Sequence, residues 1–429
     1  MAKHNNENND KIKEEKKKLK NKKNKFKRPT QLKESYRFSH IIDADKEEKT
    51  IQRDLISSKS KTVVIILLVC LLAVITATGW NYLAPDKVLD NIEKGISGNQ
   101  GDNFPTFISG TTVSNGNFLY SGKNLIYVSD TSLMCLNKSA GEVINRPISF
   151  AQPAIKIGGN FILTYNINGN GYQVDTLAET KVKNEVENPI IQGDIAENGT
   201  YGFITSAEGY LSELTIFNSS DEQIYRYYFS DYYATSFALN KNGTRAAVST
   251  VTSKNGSFET AIYILDFQNE EPIAVIEENE TLIYSCEFMD NGAIAAVGDN
   301  ESLMIKSNYT DVDKYEYDGL TLTAFSFDQS SAGVISLSPS SDGGNCHLIY
   351  LDKNGTLSKI SDTDYRISYL DIYNGSIAAL CADKTVFFNT VGEEVGSADS
   401  GVDAQSIALH SSNSVYVLGM TEIRDVSIT

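Results

Sequence analysis

One pattern returns eight times between residue 110 and the end of this chain: an apolar run, a tight Asn/Gly/Ser turn, then a second apolar run. The second runs are LIYV from Leu125, FILTY from Phe161, YGFIT from Tyr201 and RAAVS from Arg245, followed by IAAV from Ile294, VISL from Val334, IAAL from Ile377 and VYVL from Val415. Their starts lie 36 to 49 residues apart. Two further β-type runs complete a unit, YLSELTIFN and EQIYRYYF in the third, TAIYILDF and EPIAVIE in the fourth. A unit of this size cannot bury its own apolar faces and must stack on its neighbours, and a period of roughly 40–45 residues with several strands per unit is that of a propeller blade. Asn-Gly, the strongest short hairpin signal, occurs nine times after residue 110, which fits so many turns. The prediction is an all-β, eight-bladed β-propeller over 104–429, with seven blades as the alternative count. A two-sheet sandwich would not need eight self-similar units. The last unit has only three strands, ending in TEIRDVSI, so a spare strand near Phe104–Gly110 (FPTFISG) is predicted to complete it. Such a closure leaves no open sheet edge.

Upstream the chain changes character. Residues 62–84, TVVIILLVCLLAVITATGWNYLA, carry no charge, and this is the one run long enough for a membrane helix, which needs roughly 20 apolar residues. Trp80 and Tyr82 fall where amphipathic rings prefer the headgroup layer, and Lys59 and Lys61 flank the other end. Residues 1–61 hold 19 Lys/Arg against 10 Asp/Glu, a net of +9, while residues 85–429 hold 19 against 45, a net of −26. Positive residues stay cytoplasmic. The expected topology is therefore a single-pass cell-membrane protein with its N-terminus inside and its large domain outside. With 61 residues before a long apolar core, an uncleaved signal anchor is a better reading than a cleaved signal peptide. The Lys/Asn/Glu-rich tail, 1–61, is predicted to be largely disordered and drawn to anionic lipid. No zinc finger, RNP motif or helix-turn-helix pattern points to nucleic acid. Residues 85–103 read as a short juxtamembrane helix and linker.

Catalytic chemistry is hard to find. There is no Gly-x-Ser-x-Gly elbow, no His-Glu-x-x-His and no phosphate-cradling loop. Beyond residue 84 the only histidines are His347 and His410, too few for a His-rich metal site. Cys135, Cys286, Cys346 and Cys381 lie far apart without a close pair, and read as buried free thiols. Asp311, Asp313 and Asp318 do not follow EF-hand spacing and read as an acidic turn. Ten Asn-x-Ser/Thr sequences, among them Asn198-Gly-Thr and Asn354-Gly-Thr, coincide mostly with turns and read as hairpin chemistry. No cofactor, metal or catalytic residue is expected.

The layout of tail, single span and outer repeat domain resembles a group of membrane-anchored propeller proteins of clostridial-type bacteria, a family of unknown function. Individual blades are similar to quinoprotein-type repeats. SLMCLNKSAGEVI (Ser132–Ile144) has that repeat's strand–Gly–strand ending, and HLIYLDKNGTLSKI (His347–Ile360) is a weaker version. The resemblance stops at the Trp that docks between quinoprotein blades, because the outer domain has none. Neither the quinone site nor dehydrogenase activity is implied. What the resemblance implies is the non-catalytic use of the fold, as an envelope scaffold or assembly factor.

Loops from one blade's outer strand to the next blade's inner strand, with those between second and third strands, should share one face. Glu277–Glu280, Ser361–Asp364, Ala398–Gly401, Gly298–Glu301 and Ser341-Asp342 make that face acidic. The run Tyr225–Tyr233 ends at it, so Tyr228, Asp231, Tyr232 and Tyr233 are the candidate partner-binding residues. The function expected is a non-enzymatic, extracytoplasmic binding or scaffold module whose partner is a cationic protein or glycan. Alternatives are a glycan-active hydrolase with carboxylate catalysis and a transmembrane sensor signalling through its tail.

Overall fold

The computed structural model describes residues 101–428 except 255, 329–331 and 341. The predicted tail, span and most of the juxtamembrane linker lie outside the described residues. The rest folds as eight four-stranded antiparallel sheets, hence eight blades and not seven. In each sheet the strands are called A to D from the centre outwards. The A strands are Phe118–Ser121, Pro153–Gly158, Ile190–Ile195, Tyr233–Leu239, Ile283–Phe288, Thr321–Phe327, Tyr369–Tyr373 and Ser406–Ser411, in blades 1 to 8. The eight runs read from the sequence are the B strands, from Asn124–Val128 in blade 1 to Ser414–Leu418 in blade 8.

B strands are apolar on both faces because each lies between two neighbouring blades. Phe203 packs with Tyr165 and Tyr172 of blade 2, whereas the next residue, Ile204, packs with Phe237 and Val248 of blade 4. The core is therefore a ring of apolar slabs between blades. A strand buried on both sides reads as a continuous apolar run. D strands face solvent and bury little; in Thr180–Glu185 only Val182 is covered.

The turn from C to D repeats one device. An Asn or Asp side chain accepts the backbone N–H two residues on, at Asn137, Asn218, Asp266, Asn308, Asp352 and Asn389. Such Asx turns satisfy the amides that a tight hairpin exposes. They account for sequons at Asn137, Asn218 and Asn308 as turn chemistry.

The ring closes where the sequence predicted. Thr106–Phe107 adds to Glu422–Ser427 as the fourth strand of blade 8, with Thr106 opposite Ile423 and Phe107 opposite Glu422. The same segment also reaches blade 1. The Ser109 amide donates to the Tyr127 hydroxyl at 3.0 Å, and Thr111 donates to Asp130 through its amide (2.8 Å) and hydroxyl (2.7 Å). Phe104 and Ile108 pack into the apolar slab between blades 8 and 1, with the Phe104 ring 4.8 Å from Tyr416.

Blades 2 and 3 are clamped by a polar group as well as by packing. Asp221, in the C–D turn of blade 3, accepts hydrogen bonds from the Tyr172 hydroxyl (2.6 Å), the Tyr201 hydroxyl (2.5 Å) and the Asn184 amide (2.8 Å). Tyr172 and Asn184 belong to blade 2. Burial raises the Asp221 pKa, but the three donors outweigh it and leave the carboxyl below its ordinary value.

Candidate functional site

Each A strand turns one face to the central channel. Near the A–B turns the channel widens into a cavity of about 340 Å³. Its mouth carries Glu197, Lys241 and Asp290 from blades 3, 4 and 5, with Lys241 Nζ 3.1 Å from Glu197 and 3.8 Å from Asp290. Deeper in, the wall holds Lys156, Asp194, Glu287 and Asp371 from blades 2, 3, 5 and 7. All four side chains are half-buried.

The carboxylates do two different jobs. An A strand is a sheet edge, so its outward N–H groups need acceptors from elsewhere. Asp194 Oδ2 accepts the Leu239 amide of the next blade at 2.8 Å, and Asp371 Oδ2 accepts the Leu409 amide at 2.6 Å. Asn117 and Gln192 make the same link to Ile155 and Phe237, and Asp328 accepts the Asn374 amide in the A–B turn of the next blade. Asp194 and Asp371 are thus parts of an inter-blade ladder. Glu287 and Lys156 are not. Among the described residues neither side chain makes a hydrogen bond or an ion pair within 4 Å, although each feels the other's charge and that of Asp194.

Enclosure pushes Glu287 up to about 7, through desolvation first and Asp194 second, with Lys156 opposing. Asp371 also rises to about 7 by desolvation, against the pull of its amide donors. Lys156 is drawn down by burial, yet Asp194, Tyr165 and Glu287 hold it above its usual value. The consequence for stability has a definite sign. Native Glu287 keeps its proton up to about pH 7, whereas in the unfolded chain it loses it near 4.3. Between those values the native state binds more protons, so stability falls as pH rises and the loss is complete above the folded pKa. Glu287→Gln removes this penalty. The variant is expected to be more stable than the parent by on the order of 1–2 kcal/mol near pH 8, with no gain near pH 4. Chemical denaturation at the two pH values checks it; a gain at both would deny the buried charge.

The opposite face, made of D–A and B–C loops, carries the residues singled out from the sequence. They do not act alike. Tyr232 is only 8% exposed and its ring packs edge-on to Tyr263 at 6.1 Å, inside the slab between blades 3 and 4. Tyr233, one residue on, is the first residue of the A strand and is 55% exposed. Tyr228 is exposed and stacks on Tyr210, centroids 4.5 Å apart, while the Arg226 guanidinium donates to its hydroxyl at 3.2 Å. Asp231 is exposed in the loop between them and accepts from Ser230. Three aromatics on this face escaped the sequence reading. Phe258 tips the B–C hairpin of blade 4 and is 62% exposed; Tyr284 begins the A strand of blade 5 and is 49% exposed. With Tyr210 they form a set of exposed rings across blades 3 to 5. Exposed Glu208, Asp231, Glu277 and Glu280 lie on the same face.

The channel charges also escaped it. The available signal is a charge between apolar neighbours midway along an A strand, as in Ile155-Lys-Ile, Gly193-Asp-Ile, Cys286-Glu-Phe and Leu370-Asp-Ile. No three His, Cys, Asp or Glu side chains among the described residues come together closely enough to hold a metal ion.

These features define an eight-bladed β-propeller with a charged central channel and an aromatic loop face. The chain belongs to a family of unknown function, DUF5711, whose model matches residues 107–428. No curated protein matches it. Among solved structures it is similar to the C-terminal WD40 domain of Sif2, at 14% identity over 75% of this chain and 100% of that one, with a TM-score of 0.52. It is also similar to BamB from Moraxella catarrhalis, at 10% identity over 76% of this chain and 100% of that one, with a TM-score of 0.49. At these identities the first likeness speaks for the fold alone.

Proposed function

We propose that this protein is a non-enzymatic binding module, anchored by residues 62–84 and displaying its propeller outside the cell membrane, where it docks a cationic protein partner. The observation that carries this reading is the set of exposed rings on one face, Tyr210, Tyr228, Tyr233, Phe258 and Tyr284, set among acidic side chains. Aromatic rings supply large contact area at little conformational cost, and are enriched at binding hot spots. An acidic surround favours a partner bearing Lys and Arg and speeds its approach through steering. The net charge of −26 over residues 85–429 adds to that field. A catalytic pair of carboxylates is less well supported, because Asp194 and Asp371 are already engaged by backbone amides.

Crosslinking intact cells with a membrane-impermeant reagent, followed by mass spectrometry, tests topology and partner together. Crosslinks are expected on the propeller and not on residues 1–61. The double variant Tyr233→Ala, Phe258→Ala is expected to weaken partner binding by about 2 kcal/mol or more while leaving the fold intact. Association should slow as salt rises past physiological strength, where the Debye length is about 8 Å. Crosslinks on the N-terminal tail instead would reverse the topology. Binding indifferent to both salt and the double variant would remove this face from the site.

A further inference from the structure

We propose that the central cavity binds a small zwitterion of the α-amino-acid class, its carboxylate turned to Lys156 and its ammonium to Glu287. The side chains of Lys156 and Glu287 line one cavity from different blades, with no hydrogen bond or ion pair to another described residue. Each feels the charges around it but has no direct contact to its own head group, and a bound group that supplies those contacts is favoured. One group cannot serve both. A carboxylate suits Lys156 but would meet Asp194 and Glu287; an ammonium suits Glu287 but would crowd Lys156. A molecule carrying both charges, at its two ends, satisfies each.

The other channel acids sharpen the choice. Asp194 and Asp371 are tied to the amides of Leu239 and Leu409, so they hold the ring together and leave Glu287 as the acid able to turn to a ligand. The cavity, about 340 Å³, lies at the small end of ligand pockets, which span roughly 300–1,000 Å³. That suits a molecule of few atoms. Entry is through the mouth on the A–B face, away from the aromatic loops, so this site and the partner surface are independent.

Saturation-transfer NMR on the full-length protein in detergent tests the assignment, with L-alanine, propionate and ethylamine as probes at millimolar concentration. Alanine is expected to bind, and propionate and ethylamine, which each lack one charge, about tenfold or more weakly. Glu287→Gln and Lys156→Met should each lose about tenfold in alanine affinity, while Tyr233→Ala should change nothing. Binding should also tighten as pH rises through about 7, where Glu287 ionises; Asp371 in the same wall titrates in that range too, so the tightening should be lost in Glu287→Gln. Circular dichroism of each variant separates lost binding from lost fold. Three equal affinities, or an ethylamine signal matching that of alanine, would overturn the zwitterion. No signal from alanine would overturn the site.

Discussion

Deleting Asp102–Gly110 is expected to cost the propeller on the order of 4–6 kcal/mol. Phe104 and Ile108 leave the slab between blades 8 and 1, at roughly 2 kcal/mol each. The strand pairing to Ile423 and Glu422 goes with them, as does the link from Ser109 to Tyr127, at about 1 kcal/mol per hydrogen bond. The third strand of blade 8, Glu422–Ser427, then becomes an exposed edge able to pair with other chains. Against a total stability of about 5–15 kcal/mol this is a large fraction. Urea unfolding followed by circular dichroism should show the midpoint collapse, and light scattering should show association. Phe104→Ala alone should cost about 2 kcal/mol, because its ring is partly exposed. A deletion variant with an unchanged midpoint would mean that the ring does not depend on this closure.

The second large effect is expected at Asp221. Asp221→Ala removes the acceptor shared by Tyr172, Tyr201 and Asn184, and leaves two tyrosine hydroxyls in the slab between blades 2 and 3 without it. An unsatisfied buried group costs about 1–3 kcal/mol, so the variant should lose about 3 kcal/mol. Asp221 also has a φ of 65°, where Asp and Asn are tolerated better than Ala. Asp221→Asn separates the two causes, since it keeps the backbone preference and one acceptor oxygen; it should lose about half as much. The sign with pH is opposite to that at Glu287. The Asp221 pKa is depressed in the native state, so its stabilisation is fully present above the unfolded value near 3.9 and is lost as pH falls through the folded one. The gap between parent and Asp221→Asn should therefore close in acid. A gap that persists there would assign the effect to shape and not to charge.

The family, the fold and the site stand at different distances from the sequence. Blade count and closure were legible because they rest on local pattern. A strand between two blades must be apolar on both faces, so Leu125–Val128 or Ile294–Val297 reads as a short unbroken run wherever it lies. The turns were legible too, since an Asx turn at Asn218 or Asn389 needs only its own next few residues. Residues 1–100 speak through composition alone: the charge-free stretch 62–84 and the +9 to −26 contrast across it are properties of the sequence.

What the tertiary structure decided lies between blades. Tyr232 and Tyr233 are alike in the sequence, yet Tyr232, in the loop before the A strand, packs on Tyr263 while Tyr233, the strand's first residue, meets solvent. Asp221 reads as one more turn residue until the ring brings Tyr172, 49 positions earlier, to its carboxylate. Lys156 and Glu287 are 131 positions apart and become one site because eight A strands close around a common axis. Local periodicity specifies each strand and each turn; only the curvature of the closed ring chooses which side chains from different blades share a slab, a clamp or the channel.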